Sequence, residues 1–286
     1  MIGAKTRLLA LIGHPVEHSL SPAVHNASFA AEGLDYVYVA LDVKPEDLPS
    51  AVRGAVALGF RGFNVTMPHK RAILPLLDDV DEGARISGAV NTVVVEDLGL
   101  LRGHNTDGGG MVGACREAGI GLAGKRVLLL GAGGVAAAIA LAFGGEGIGE
   151  LRIVNRSIEP ARELLGKLRA AGLKKVEVSS GDALDKAAAE TEVIVNATSL
   201  GMRDGDPLPI PVEHLGGGRT VCDAVYRPGG ETALIREARV RGARVVAGER
   251  MLLYQGVLAQ RFWTGREPNM EAMDGAISSR DRGARR

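Results

Sequence analysis

The chain has no surplus of positive charge to offer a polyanion. Its 34 lysines and arginines are matched by 34 aspartates and glutamates over 286 residues, which argues against a broad nucleic-acid footprint. Cysteine is scarce. Cys115 and Cys222 lie far apart in sequence and outside any metal-type spacing, and a reducing, cytoplasmic setting fits. The six histidines form no H-E-x-x-H or similar ligand set. His14 and His18 are four apart, but Pro15 intervenes, so no metal site is expected. Long apolar runs are also missing. The stretch from Met1 to Ile12 has only a short one, ended at Gly13 and His14, and reads as a first buried strand rather than a signal peptide or membrane span. There is no internal repeat and no low-complexity tract. The last stretch, Asp274–Arg286, is polar, rich in arginine and glycine and free of aromatics, and reads as a frayed tail rather than a nucleic-acid arm.

The chain does contain apolar material for a sizeable core: 46% hydrophobic against 24% charged residues. Its length suits two domains. In the first block, Leu8–Ile12, Tyr36–Leu41, Gly62–Thr66 and Thr92–Val95 are short β-rich runs, and Leu98–Arg102 adds a hairpin-like strand. Helical stretches at Pro22–Glu32 and Glu46–Leu58 lie between them. Alternating strands and helices imply a mostly parallel sheet covered on its faces. The second block begins near Asp107 with a helix over Gly110–Glu117. Its strands are Val127–Leu130, Leu151–Val154, Val176–Val178, Val193–Asn196, Thr220–Asp223 and Arg244–Val246, with helices such as Pro160–Ala171 and Thr232–Arg241. The pattern predicts an α/β protein whose second block is a doubly wound sheet. A last helix over Glu249–Trp263 is expected to pack back on the first block through Leu252, Val257, Leu258 and Phe262. The domains are therefore expected at 1–106, completed by 249–286, and at 107–248, with ligands in the cleft between them.

The apolar run Val127–Leu130 leads directly into Gly131, Gly133 and Ala136 in G-x-G-x-x-A spacing, followed by an apolar helical stretch, Val135–Phe143. That is a buried parallel strand, a tight turn and a helix start. Gly131 allows the sharp turn, Gly133 lets a pyrophosphate approach the backbone, and Ala136 lets the helix pack on the strand. The helix start presents free N–H groups and partial positive charge to the phosphates. The next strand ends in Asn155-Arg156-Ser157. An NAD site usually carries Asp or Glu there for the ribose 2′-hydroxyl. A neutral Asn155 beside Arg156 suits a 2′-phosphate instead, because arginine pairs with it through charge-assisted bonds. NADP is therefore favoured over NAD.

Three polar clusters sit at strand ends or loops of the first block, where catalytic residues concentrate. In His18-Ser19-Leu20-Ser21-Pro22, Ser21 reads as an N-cap with Pro22 at the first helical position. That leaves Ser19 unexplained, and two hydroxyls at a helix start can also bind a carboxylate. Asn64-Val65-Thr66-Met67-Pro68-His69-Lys70 places an amide, a hydroxyl and an ammonium near one strand end. Gly88-Ala89-Val90-Asn91-Thr92 and Asn105-Thr106-Asp107-Gly108 read as turns, with Asp107 able to cap the helix that follows.

Together with Gly131-Ala132-Gly133-Gly134, Asn155-Arg156-Ser157, Asn196-Ala197-Thr198-Ser199 and Met251-Leu252-Leu253-Tyr254-Gln255-Gly256, these clusters resemble the shikimate dehydrogenase family of aromatic amino-acid and chorismate biosynthesis, in the family's order over residues 5 to 265. The resemblance implies a cytoplasmic NADP-dependent oxidoreductase that reversibly reduces 3-dehydroshikimate to shikimate. It would have an N-terminal α/β substrate-binding domain and a doubly wound Rossmann NADP-binding domain. Lys70 and Asp107 match the catalytic pair. Ser19, Ser21, Asn64, Thr66, Asn91 and Gln255 match substrate ligands, with Tyr226 near them. The serines would hold the carboxylate, and Asn64, Asn91, Asp107 and Gln255 the ring hydroxyls. Gly131, Ala132, Gly133, Gly134, Val135, Asn155, Arg156, Ser157 and Thr198 match the cofactor site, and Gly248 and Met251 the positions beside the nicotinamide. Partners other than the small-molecule substrate are not expected: no nucleic acid, no membrane, a monomer or homodimer.

Three positions depart from the family pattern. Ala137 and Pro160 stand where basic residues often help to hold the 2′-phosphate, which weakens the NADP preference unless Arg162 compensates. Arg250 replaces a common glycine near the nicotinamide end. The principal alternative is a quinate/shikimate dehydrogenase with relaxed substrate and NAD/NADP use. A ligand-sensing module of the same fold would have no need of a Lys70–Asp107 pair.

Overall fold

The computed structural model describes residues 2–227 and 230–283. The chain divides into two compact units, Met1–Thr106 with Gln255–Arg286, and Asp107–Tyr254. The second changeover falls inside a helix, six residues beyond the position expected from the sequence.

The first unit opens with β1 (Arg7–Gly13), α1 (Ser21–Ala31), β2 (Tyr36–Asp42), α2 (Leu48–Ala57) and β3 (Phe60–Val65). It continues through α3 (His69–Ala72), β4 (Asp79–Val80), α4 (Glu82–Ser87), β5 (Thr92–Val95) and β6 (Leu101–His104). The strand order is β2-β1-β3-β5-β6-β4. The sheet is parallel through β2, β1 and β3 but antiparallel from β3 to β5 and from β5 to β6. The pair β4–β6 is again parallel, so the sheet is mostly parallel as expected, and the hairpin-like strand expected after β5 appears as β6, since the β5–β6 connection is too short for a parallel crossover. Along β1 the side chains alternate between two cores. Ala10 and Ile12 pack with Leu48, Val52 and Ala55 of α2, whereas Leu9 and Leu11 pack with Phe29 of α1.

The second unit contains α5 (Asp107–Glu117), β7 (Arg126–Leu130), α6 (Gly134–Gly145), β8 (Glu150–Asn155), α7 (Ile158–Ala170) and β9 (Val176–Ser180). Then follow α8 (Leu184–Ala189), β10 (Val193–Asn196), β11 (Thr220–Asp223), α9 (Ala233–Val240) and β12 (Arg244–Val246). The order is β12-β11-β10-β7-β8-β9, parallel throughout. Val127 and Leu129 enter one core and Leu128 and Leu130 the other, so β7 is apolar on both faces, as a doubly covered sheet requires. Strand order reverses between β7 and β10, and ligands of such sheets bind beyond the carboxyl ends of the strands at that reversal. Gly108 of α5 is obligatory, since a Cβ there would lie 2.2 Å from the Ala138 carbonyl oxygen of α6.

Helix α10 (Gly248–Thr264) starts in the second unit and ends in the first; α11 (Met270–Gly283) follows. Two expectations are corrected here. The first-unit half of α10 buries Val257 as expected and adds Ala259 and Trp263, while Leu252 belongs to the second unit and Phe262 is half-exposed, stacked on His104. Trp263 fits because residue 62 is glycine: a Cβ would stand 2.3 Å from its Nε1, which donates to Val93 O at 2.9 Å. Nor is 274–283 a frayed tail. Met273 and Ile277, four apart and so on one helical face, are buried. Asn269 caps the helix by accepting from Ala272 N at 2.9 Å. Two well-placed apolar residues outweigh the polar composition; residues 284–286 lie outside those described.

Candidate functional site

In the first unit the candidate substrate residues gather around Asn64 and Asn91. Asn64 is the penultimate residue of β3, with its side chain buried. Its Nδ2 donates to Asn91 O and Thr92 Oγ1, both at 2.9 Å, and its Oδ1 accepts from Tyr38 OH at 2.7 Å. Asn91 Oδ1 accepts from Thr106 N at 2.9 Å and Thr92 Oγ1 at 3.0 Å, while its Nδ2 donates to Thr106 Oγ1 at 3.0 Å and reaches Gln255 Oε1 at 3.4 Å. Thr106 Oγ1 stands 3.2 Å from both Asn91 Oδ1 and Gln255 Oε1, and its single proton can serve only one at a time. The result is a network of amides and hydroxyls joined to the Tyr38 phenol. Behind it, His25 stacks on Tyr38 with ring centroids 4.5 Å apart. Burial pushes the His25 pKa down to about 4, against weaker opposing bonds from Gln260 and Asn64, so the ring is neutral.

Lys70 lies in α3, half-buried, and the chain on both sides of its side chain is anchored. His69 Nε2 lies 2.7 Å from Val43 O, and Lys70 O accepts from Val90 N at 2.8 Å. The second bond ties Lys70 to the turn carrying Asn91. Thr66 is half-buried, with its methyl 2.2 Å from where a Cβ on Gly13 would stand.

Ser21 is not an N-cap. It is the first residue of α1, and Leu20 holds the cap position without a side-chain bond. Ser19 Oγ instead accepts from Ser21 N at 3.2 Å. Pro22, with no N–H, takes the second helical position, so the orphan donor nearest the cap belongs to Ser21.

The second unit carries the nucleotide-type residues. Gly131 follows β7 at φ +108°, and a Cβ there would lie 2.8 Å from Ala197 O, in the turn after β10. Ala132 is half-buried, packed against the core, as is Val135 in the first turn of α6. Gly133 is the N-cap of α6, with open space where its Cβ would be, and Gly134 begins the helix. Asn155 ends β8, and its Nδ2 donates to Ser157 O at 2.8 Å; Arg156 and Ser157 are exposed. Ala137 is buried in the core. Asp107 is buried at the first position of α5.

Thr198 bonds through N and Oγ1 to Asn196 Oδ1 at 3.1 and 2.7 Å. Gly248 opens α10 where a Cβ would stand 2.2 Å from Val225 O and 2.8 Å from Tyr226 N. Met251, one turn on, is buried. Arg250, the departure from the family glycine, pairs through Nε and Nη2 with both carboxylate oxygens of Glu117 in α5, Nε to Oε2 at 2.7 Å.

Sequence reasoning missed Tyr38, Thr92 and Asp223. Thr92 and Asp223 carry polar side chains at the ends of buried strands, a signal open to view. Tyr38 reads only as an apolar strand residue. The described residues contain no cluster of metal-ligating side chains and no helix long and apolar enough to cross a membrane.

Residues 11–93 match the family described as the shikimate dehydrogenase substrate binding domain, 114–201 shikimate / quinate 5-dehydrogenase, and 248–277 the shikimate 5′-dehydrogenase C-terminal domain. A curated shikimate dehydrogenase (NADP+) of Rubrobacter xylanophilus is 59% identical over 97% of both chains. The solved shikimate 5-dehydrogenase of Thermus thermophilus, in complex with NADP(H) and shikimate, superposes with TM-score 0.86 at 38% identity, over 96% of this chain and 99% of that one. A quinate dehydrogenase from Corynebacterium glutamicum in complex with NAD gives TM-score 0.87 at 36% identity, over 96% and 99%.

Proposed function

The chain belongs to the shikimate dehydrogenase family, and we propose that it catalyses the reversible, NADPH-dependent reduction of 3-dehydroshikimate to shikimate. The observation that carries the substrate is the cluster of Asn64, Asn91, Thr106 and Gln255, whose amide and hydroxyl donors and acceptors suit a polyhydroxylated ring. The Ser19 and Ser21 hydroxyls take the substrate carboxylate at the start of α1. Thr66 and Tyr226 complete the substrate set.

The residues of the second unit fit NADP. Gly133 leaves open space at the start of α6, which is what a pyrophosphate needs. The 131–135 turn holds the diphosphate, Asn155, Arg156 and Ser157 the 2′-phosphoribose, and Thr198, Gly248 and Met251 the nicotinamide end. When bound, the cofactor supplies the hydride. Negative charge then develops on the ketone oxygen, and the Lys70 ammonium stabilises it and donates the proton. Asp107 is the second member of the proposed catalytic pair. The protein acts in the cytoplasm, as a monomer or homodimer.

Ala137 and Pro160 remove two candidate 2′-phosphate cations, which keeps the relaxed quinate/shikimate reading alive. Initial rates of nicotinamide reduction with shikimate or quinate, each with NADP+ or NAD+, decide between them. Turnover confined to shikimate with NADP+ supports the proposal; comparable rates with quinate or NAD+ replace it with the relaxed enzyme.

A further inference from the structure

Asp223 ends β11 and is wholly buried. No cation pairs with it among the described residues. Three donors converge on its carboxylate. Oδ1 accepts from Asn196 Nδ2 at 2.9 Å and Val225 N at 3.0 Å, and Oδ2 from Thr232 Oγ1 at 2.6 Å. Each donor belongs to a different piece of backbone. Asn196 holds Thr198 through two bonds and the Leu200 carbonyl through its Nδ2 at 3.1 Å. Val225 begins the turn that carries Tyr226, against which Gly248 rests. Thr232 is the N-cap of α9, accepting from Ile235 N at 3.3 Å. A buried carboxylate without a counter-ion is costly, and an apolar residue would serve packing better. Three fixed donors on one anion nevertheless give a rigid junction that a neutral group reproduces only in part.

We propose that the Asp223 carboxylate is a positioning residue for NADP binding: it locks the Thr198 turn, the Val225–Tyr226 turn and the start of α10 into one arrangement. This rests on the dehydrogenase reading above. Desolvation pushes the Asp223 pKa up to about 6, against the bonds from Thr232, Val225 and Asn196. The ionised carboxylate that accepts from all three donors is therefore the main form above about pH 6; below it a proton occupies one of the two oxygens the donors share, which relieves the desolvation cost but removes an acceptor position. The adjacent Cys222 thiol is itself held protonated by Cys115 and by burial. Asn196 of β10, Thr232 at α9 and the Val225 amide do not titrate.

The test is the dissociation constant for NADP+, by calorimetry, for the wild type, Asp223→Asn and Thr232→Val between about pH 5 and about pH 8. The 2′-phosphate of NADP+ also titrates near pH 6, but equally for all three proteins, so the ratio of variant to wild type isolates the junction. Thermal melts confirm that each variant is folded. At about pH 8, Asp223→Asn is expected to bind about tenfold more weakly and Thr232→Val about threefold, each being the loss of charge-assisted bonds. The ratio should shrink towards one at about pH 5, where the wild type is protonated as well. A folded Asp223→Asn that binds within twofold of wild type at every pH overturns the inference; if it fails to fold, Thr232→Val at wild-type affinity does so. A wild type that binds no NADP+ at any pH overturns the functional reading itself.

Discussion

The two units handle buried polarity in opposite ways. In the first, Asn64, Asn91, Thr92 and Thr106 sit in or beside the strands and satisfy one another, and the histidine behind them is neutral. In the second, the central strands β7 and β10 send apolar side chains to both faces, and buried polar groups collect at the carboxyl ends of β10 and β11, where glycine backbone and a lone carboxylate do the work. The contrast follows ligand chemistry. A neutral ring with several hydroxyls needs many fixed amides at close quarters, whereas a polyanion needs bare N–H groups and an uncrowded approach.

The largest effect should come from removing the proton donor. Lys70→Ala is expected to lower kcat by about 10²–10⁴-fold, the usual contribution of general acid–base catalysis, with little change in the KM for shikimate. Turnover near that of the wild type would sink the assignment.

Next comes pH, which should separate the units. His25 has its folded pKa depressed to about 4 from 6.5, so its contribution to stability is present above pH 6.5 and is lost as pH falls towards 4. Asp223 has its folded pKa raised to about 6 from 3.8, so its contribution is full below 3.8 and is lost as pH rises through 6. Each term amounts to about 3 kcal/mol. Hydrogen exchange corrected for intrinsic rates should show β1 and β3 losing protection from pH 7 to 5 relative to β10 and β11. Parallel changes in the two units would contradict this.

Smaller effects refine the two ligand chemistries. Arg156→Ala should raise the KM for NADP+ by about 10–100-fold, a charge-assisted bond's share, and leave NAD+ kinetics nearly unchanged. An equal effect on both cofactors would remove Arg156 from the 2′-phosphate. Gln255→Ala should raise the KM for shikimate by about 3–10-fold, as loss of one neutral hydrogen bond does, without touching the KM for NADP+.

The second unit was the more legible in sequence. A parallel strand covered on both faces reads as an unbroken apolar run, so Val127–Leu130 and Val193–Asn196 mark themselves, and the glycine turn follows directly. The first unit hid more. The two-residue β4 carries no periodicity, the four-residue α3 around Lys70 is held by tertiary bonds from Val43 and Val90 rather than by propensity, and the role of Ser19 in capping emerged only with its geometry. Asn64, Asn91 and Gln255 could be named from their motifs. Their dependence on Tyr38 and Thr106 could not, since it arises from pairings 26 and 149 residues apart in sequence.

Cys115 and Cys222, far apart in sequence, meet inside the second unit as free thiols with sulfurs 3.9 Å apart, both fully buried. They are the chain's whole complement of cysteine, and the first unit has none. The protein therefore carries its own clock for one half of itself. A thiol reagent added to the native protein can react only when the second unit opens, so the labelling rate reads that unit's breathing alone, and its slowing by NADP+ would read occupancy without any turnover.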